Sequence, residues 1–215
     1  IINYIMNIDD LNKLLGVSQN STDIENAISH SKRDGSYLNL SNTRLDSEGL
    51  AVFKGLINSE NNLSSIDLSN TQLDSKGLKI LAGVVNFTAI RELNLANNEL
   101  TRDLDYDEPH MTVIDRSGFN TFFDVLKGNQ ALSKLDLSNN DLRSDGLITL
   151  SKALKSSSIK QLNIAHNRLT DTDHRNMSSE SYSGVIQFTE DMKDMGSLVS
   201  LNLAKNELGV EGAKH

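Results

Sequence analysis

Residues 132–142 read LSKLDLSNNDL. Leu135 and Leu137 stand on either side of one polar residue, Asp136, which is the period of a half-buried strand. The same spacing recurs at 63–73 (LSSIDLSNTQL), 90–100 (IRELNLANNEL), 159–169 (IKQLNIAHNRL) and 198–208 (LVSLNLAKNEL), and a degenerate copy, YLNLSNTRL, ends at Leu45. Six copies at one spacing describe a repeated supersecondary unit. No single strand of this length buries its apolar face alone. Stacked in parallel and in register, the strands complete one another's backbone hydrogen bonds and bury a continuous row of Leu and Ile.

The residue two before the closing Leu is Asn98, Asn140, Asn167 or Asn206, and Thr43 or Thr71 in the first two copies. It stands where the chain turns inward, and its side chain can pair with buried loop backbone that has no ladder partner. These residues read as scaffold rather than site. Between strands, apolar residues fall at steps of three and four: Gly49, Leu50, Phe53, Ile57; Gly77, Leu78, Leu81, Val85; Gly118, Phe119, Phe122, Leu126; Gly146, Leu147, Leu150, Leu154; Gly184, Val185, Phe188, Met192. That is one face of a helix. The unit is strand, turn, helix, turn, and Ile66 to Leu93 or Leu135 to Leu162 spans about 27 residues.

With a full helix in each unit, the motifs from Tyr37 to Gly212 resemble the ribonuclease-inhibitor-like subfamily of leucine-rich repeats. The resemblance implies an α/β fold: a curved right-handed solenoid with a parallel sheet on the concave side and helices on the convex side. It also implies a protein-binding scaffold, since most members are such scaffolds. One branch, the Ran GTPase-activating proteins, acts on a small GTPase, so a GTPase-activating role is the alternative. It would use an Arg on the strand-to-helix edge, and Arg44, Arg102, Arg143 and Arg168 lie there.

Residues 1–36 precede the first strand. Ile2, Ile5, Ile8, Leu11, Leu14 and Leu15 fall at helical spacing, and Thr22 with Glu25 forms a capping box. This segment is expected to cap the open core of an array running over 37–215. Glu211, Gly212 and Ala213 match the opening of another helix, so further repeats are expected past His215, and the lack of an initial Met leaves room for an upstream segment.

Hydrophobic residues make up 37% of the 215, enough for the core of one elongated domain. The net charge of −8 argues against a nucleic-acid duplex or an anionic membrane as partner. No apolar run approaches the ~18–20 residues that span a bilayer. The absence of Cys excludes disulfides, thiolate metal sites and a Cys nucleophile, and leans towards a cytoplasmic setting.

On the concave face the central column reads Asn39, Asp67, Asn94, Asp136, Asn163, Asn202, and the column before it holds Tyr37, Glu92 and Lys134. Alternation of Asp with Asn keeps neighbouring carboxylates apart. Asp67, Glu92 and Asp136 form an acidic stripe able to meet a basic peptide. Two units are longer than the rest, about 42 residues from Leu93 and about 39 from Leu162. The additions, 101–116 (TRDLDYDEPHMTVIDR) and 170–183 (TDTDHRNMSSESYS), both follow the closing Leu, which places them on one rim, at the strand C-terminal ends. They carry Tyr106, His110, Met111, His174, Arg175 and Tyr182, with Arg143 on the short turn between them. Aromatic, Met and His side chains on a rim are interface material, and Tyr106 and Tyr182 are the expected hot spots.

Asp103, Asp105, Asp107 and Glu108 begin like a calcium loop, but its sixth place needs Gly where Glu108 stands and its twelfth Glu where Ile114 stands. Asp171, Asp173 and His174 could join His110 across the two insertions in a transition-metal site, but their spacing is generic. No phosphate loop, nucleophile elbow or kinase signature is present. The sequence therefore reads as a non-enzymatic protein-binding module, with no cofactor and no small-molecule substrate.

Overall fold

The computed structural model describes residues 36–45, 63–85, 89–104, 112–170 and 182–214. The expected N-terminal cap and the helix expected over 49–57 lie outside them. Strands β1 (Tyr37–Asn39), β2 (Ser65–Asp67), β3 (Glu92–Asn94), β6 (Lys134–Asp136), β7 (Gln161–Asn163) and β8 (Ser200–Asn202) form one parallel sheet in that order. Register is strict: Leu38, Ile66, Leu93, Leu135, Leu162 and Leu201 stand side by side. Helices α1 (Ser75–Val85), α2 (Ser117–Leu126), α3 (Arg143–Leu154) and α4 (Ser183–Asp191) return the chain between strands, and a short α5 (Gly209–Gly212) follows β8. This is the α/β leucine-rich repeat solenoid.

The strand phase follows the L-x-L pattern. Leu135 and Leu137 are buried while Asp136 between them is only half-buried. The core continues into the helices through Leu78, Leu81, Phe119, Phe122, Leu147, Leu150 and Phe188. Helix α2 carries an aromatic cluster, with Phe119 and Phe123 rings 4.5 Å apart and Phe122 edge-on to Phe123 at 5.3 Å.

The buried Asn residues form a second spine beneath the turns. Asn140 Nδ2 donates to the carbonyls of Leu95 (3.0 Å), Leu137 (2.9 Å) and Ser138 (3.1 Å), and its Oδ1 accepts from the Asn98 N–H (3.2 Å). Asn98, Asn167 and Asn206 repeat the arrangement, each in its own repeat. Thr43 and Thr71 do less, each hydroxyl donating to the carbonyl three residues back. Every Asn thus closes its own turn and clamps the neighbouring one.

Two helix details depart from the periodicity. Helix α4 ends at Asp191 and tightens into a 3₁₀ turn, Met192–Asp194. Met192, expected on the core face, is 41% exposed, and Met195 fills the core instead. The tighter turn rotates the chain between these two positions. Asp191 is buried and accepts from Ser151 Oγ (2.8 Å), Lys155 Nζ (2.7 Å) and Gln187 Nε2 (3.0 Å), which ties α4 to α3.

Candidate functional site

The acidic stripe is real but internally engaged. Each residue of the central concave column uses its side-chain oxygen to accept the backbone N–H two residues on: Asn39 from Ser41, Asp67 from Ser69, Asn94 from Ala96, Asp136 from Ser138, Asn163 from Ala165, Asn202 from Ala204. Asp67 and Asp136 also accept the Ser69 and Ser138 hydroxyls. The other Asp136 oxygen accepts Asn163 Nδ2 at 2.8 Å, so the alternation of acid and amide along the column makes a bond as well as avoiding repulsion. Glu92 lies 3.5 Å from Lys134 on the next strand. These groups terminate strands, and less of their bonding capacity faces a ligand than their composition implies.

The chain then turns sharply at the rim. Asn42, Asn70, Asn97, Asn139, His166 and Lys205 all have φ between 55 and 62°, the left-handed region that Asn tolerates best among non-glycine residues. Their backbone N–H groups carry the inter-repeat ladder past the strand ends, as in Asn97 N to Ser138 O (2.9 Å) and Asn139 N to Ala165 O (2.9 Å). Side-chain amides add a surface ladder, Asn70 to Asn42 and Asn139 to Asn97, each at 2.8 Å. Along this rim runs a groove of about 720 Å³, lined by Asn42, Asn70, Asn97, Glu99, Arg102, Asn139, Asp141, His166 and Arg168 among others.

Within the groove one carboxylate gathers three arginines. Asp141 Oδ2 accepts from Arg102 Nη2 at 2.7 Å and from Arg143 Nη2 at 3.2 Å, and Oδ1 lies 3.5 Å from Arg168 Nη1. Glu99 adds a 3.4 Å contact to Arg102 Nε. Burial disfavours the Asp141 charge, yet the hydrogen bonds and charges of Arg102 and Arg143 outweigh it and hold the carboxyl below its ordinary 3.8. A carboxyl lowered by folding stabilises the native state above its unfolded pKa, and that contribution disappears as pH falls through the lower folded value. Asp141→Asn should therefore be less stable than wild type at pH 7 and lose less on acidification below about pH 4. Urea midpoints measured from pH 7 to pH 2 test this; parallel acid slopes for the two proteins would contradict it.

Of the residues singled out in the insertions, Tyr106, His110, Met111, His174 and Arg175 lie outside the described residues. Tyr182 does not stand on the surface as expected. It is 6% exposed, immediately before α4, with its ring edge about 3.2 Å from where a Cβ at Gly212 would lie. It packs between one repeat and the next, and a buried ring is not a hot spot for a docking partner. The first insertion is also not a plain loop. Its ends, β4 (Arg102–Leu104) and β5 (Thr112–Ile114), pair antiparallel with Asp103 opposite Val113. The β-branched run Thr112-Val113-Ile114 was the available signal. Arg102, the first residue of this ribbon, is thereby aimed at Asp141. Asp141 itself had no signal in the sequence, because its position in the repeat holds Arg44, Gln72, Glu99, Arg168 or Glu207 elsewhere.

Among the described residues no helix is long and apolar enough to cross a membrane. The family described as leucine rich repeat matches at residues 128–151, 155–173 and 197–214. Solved structures share the fold. One is Leiomodin-1 Actin-Binding Site 2, with a TM-score of 0.52 and 16% identity over 87% of this chain and 90% of that one. Another is the tropomodulin C-terminal domain of Caenorhabditis elegans, with a TM-score of 0.52 and 13% identity over 87% and 92%. At such identities the likeness is one of fold alone. No curated protein sequence matches the chain.

Proposed function

We propose that this leucine-rich repeat protein is a non-enzymatic binding module for another protein, which docks on the strand C-terminal rim. The groove along that rim carries the reading: it lies on a continuous backbone ladder and runs from Asn42 in the first repeat to Arg102, Asp141 and Arg168, beside the points where both insertions leave the scaffold. Its lining is amide and charged side chains with few apolar anchors, unlike the mostly apolar pockets that hold small molecules. The concave column, whose oxygens already cap strand ends, is the weaker surface. Because one similar fold is titled an actin-binding site, actin is the first partner to test.

The alternative, stimulation of a small GTPase, draws on the same rim arginines. An arginine finger must reach a γ-phosphate, whereas Arg102, Arg143 and Arg168 are drawn to Asp141. Assays of GTP hydrolysis with substoichiometric protein separate the two readings: stimulation would favour the enzyme activator.

The direct test shortens the insertions without touching the scaffold. Leu104 and Thr112 are paired neighbours, so Asn-Gly can replace 105–111 as a two-residue hairpin turn, and a short Gly-Ser link can replace 171–181. The melting temperature should move by only a few degrees, since the length of a connection between fixed ends changes stability only weakly. Affinity for actin, or for a partner captured by the intact chain and then purified, should fall at least about tenfold. Undiminished affinity would remove the insertions from the interface; if Arg143→Gln with Arg168→Gln also left it undiminished, the rim reading would fall and Asp67→Lys with Asp136→Lys would be the next surface to examine.

A further inference from the structure

The charged groups around Asp141 do not balance. Arg102 comes from β4, Arg143 from the start of α3 and Arg168 from the turn after β7, so three consecutive repeats send one guanidinium each to a single carboxylate. Among the described residues, three positive groups against one negative leave two in excess, and Glu99 reduces that to one. The whole chain, by contrast, carries −8.

Hydrogen-bonding capacity is unequal in the same sense. Asp141 has two oxygens, while each guanidinium presents about five N–H donors in a planar fork suited to oxyanions. Arg168 touches Asp141 only at 3.5 Å, and its side chain is 64% exposed. Arg143 is 39% exposed and held chiefly by its own near neighbour. Much of the donor capacity of these two residues is therefore open to solvent. Arg102, Arg168 and His166 line the groove with Asp141, beside the amides of Asn97 and Asn139. Asp141 acts as an internal anion that gathers the forks and leaves them under-neutralised.

We propose that the rim groove recognises an oxyanion on an acidic segment of the protein partner, a carboxylate or a phosphate held by Arg168 and Arg102 in the groove and by Arg143 at its edge, on the far side of Asp141. This rests on the rim reading and adds the chemistry of what the rim selects. The scale of the patch sets the occupant. An excess of one or two charges matches one or two oxyanions, and the overall negative charge repels a long polyanion. Local positive charge on an acidic molecule steers such a segment into register rather than attracting acidic surfaces everywhere.

Fluorescence polarisation of the full chain with a labelled peptide bearing two adjacent glutamates, and with a labelled phosphoserine peptide, tests the proposal at low salt. At least one probe should bind saturably, and the preferred probe identifies the oxyanion. Arg168→Gln, an exposed substitution, should weaken that binding several-fold, and Arg143→Gln with Arg168→Gln at least about tenfold. Lys127→Gln, which removes a helix-surface cation paired with Asp124, should leave it unchanged. Failure of both probes to bind, unchanged affinity in the double variant, or equal weakening by Lys127→Gln would overturn the proposal. The insertion-shortened protein keeps Arg102, Arg143 and Arg168. Loss of partner binding there, with both probes inert, would sink oxyanion recognition and spare the rim. Full partner binding there would remove the insertions from the interface, and full partner binding by Arg143→Gln with Arg168→Gln as well would sink the rim reading whatever the probes do.

Discussion

Gly118→Ala should destabilise the array by more than about 4 kcal/mol, enough to leave little folded protein if the domain has ordinary stability. Helices α1 and α2 cross closely at this residue. Its N–H donates to Ser75 Oγ at 2.9 Å, and a Cβ built on it would lie 1.7 Å from the Ser75 carbonyl oxygen and 2.7 Å from the carbonyl carbon. The obstacle is backbone, in a fully buried Ser, so no rotamer change relieves it. The helices would have to separate, opening the layer that holds Phe119, Phe122 and Phe123. The same device recurs at Gly184, whose N–H donates to Ser144 Oγ at 2.8 Å and whose added Cβ would meet the Ser144 carbonyl oxygen at 2.5 Å. Gly146, in the same sequence pattern, differs: its Cβ would touch only Leu142 Cβ, at 3.0 Å, and other side chains beyond 3.4 Å. Gly146→Ala should shift stability by about 1 kcal/mol, and Gly196→Ala, with nothing within 4 Å, by less than about 0.5 kcal/mol. Urea melts of the three variants check the ranking, and a Gly118→Ala protein as stable as Gly196→Ala would show that α1 and α2 are not packed this closely.

Asn140→Ala should cost about 3–5 kcal/mol, although it deletes only an amide. The side chain is 1% exposed and serves three carbonyls and one N–H from two repeats. Those backbone groups would remain buried without partners, and each such loss costs on the order of 1–3 kcal/mol, less when the site relaxes. Asn140→Asp separates hydrogen bonding from shape. It keeps the outline and the acceptor but turns an oxygen towards carbonyls that need a donor, so it should be about as damaging. Asn139, next in sequence, is exposed and left-handed, and Asn139→Ala should cost only about 1–2 kcal/mol, mostly backbone strain. Thermal melts of the three settle the matter; an Asn140→Ala protein within 1 kcal/mol of wild type would mean that the spine is redundant.

The candidate site divides along the range of its causes. The points where both insertions leave the scaffold were legible, because each lies at one place in a repeated local pattern. The chemistry on that rim was not. Tyr182 looked like a surface aromatic among Ser and Glu, yet it packs over the next repeat at Gly212. The arginines were visible one at a time, but their convergence depends on repeats 39 and 27 residues apart being stacked.

Features that recur with the repeat could be read from the residues alone. Strand phase, the buried Asn spine and the apolar helix faces each follow from spacing within about 27 residues, because burial alternates with a local period. Tertiary structure alone decided which helix-opening glycines are obligatory and which carboxylate collects the arginines. Gly118, Gly146 and Gly184 read alike in sequence, yet only Gly118 and Gly184 meet a neighbouring helix backbone. Asp141 occupies a variable position of the motif and gains its role from side chains delivered by the repeats on either side. Both are matters of approach between distant segments, and a local period carries no record of that distance.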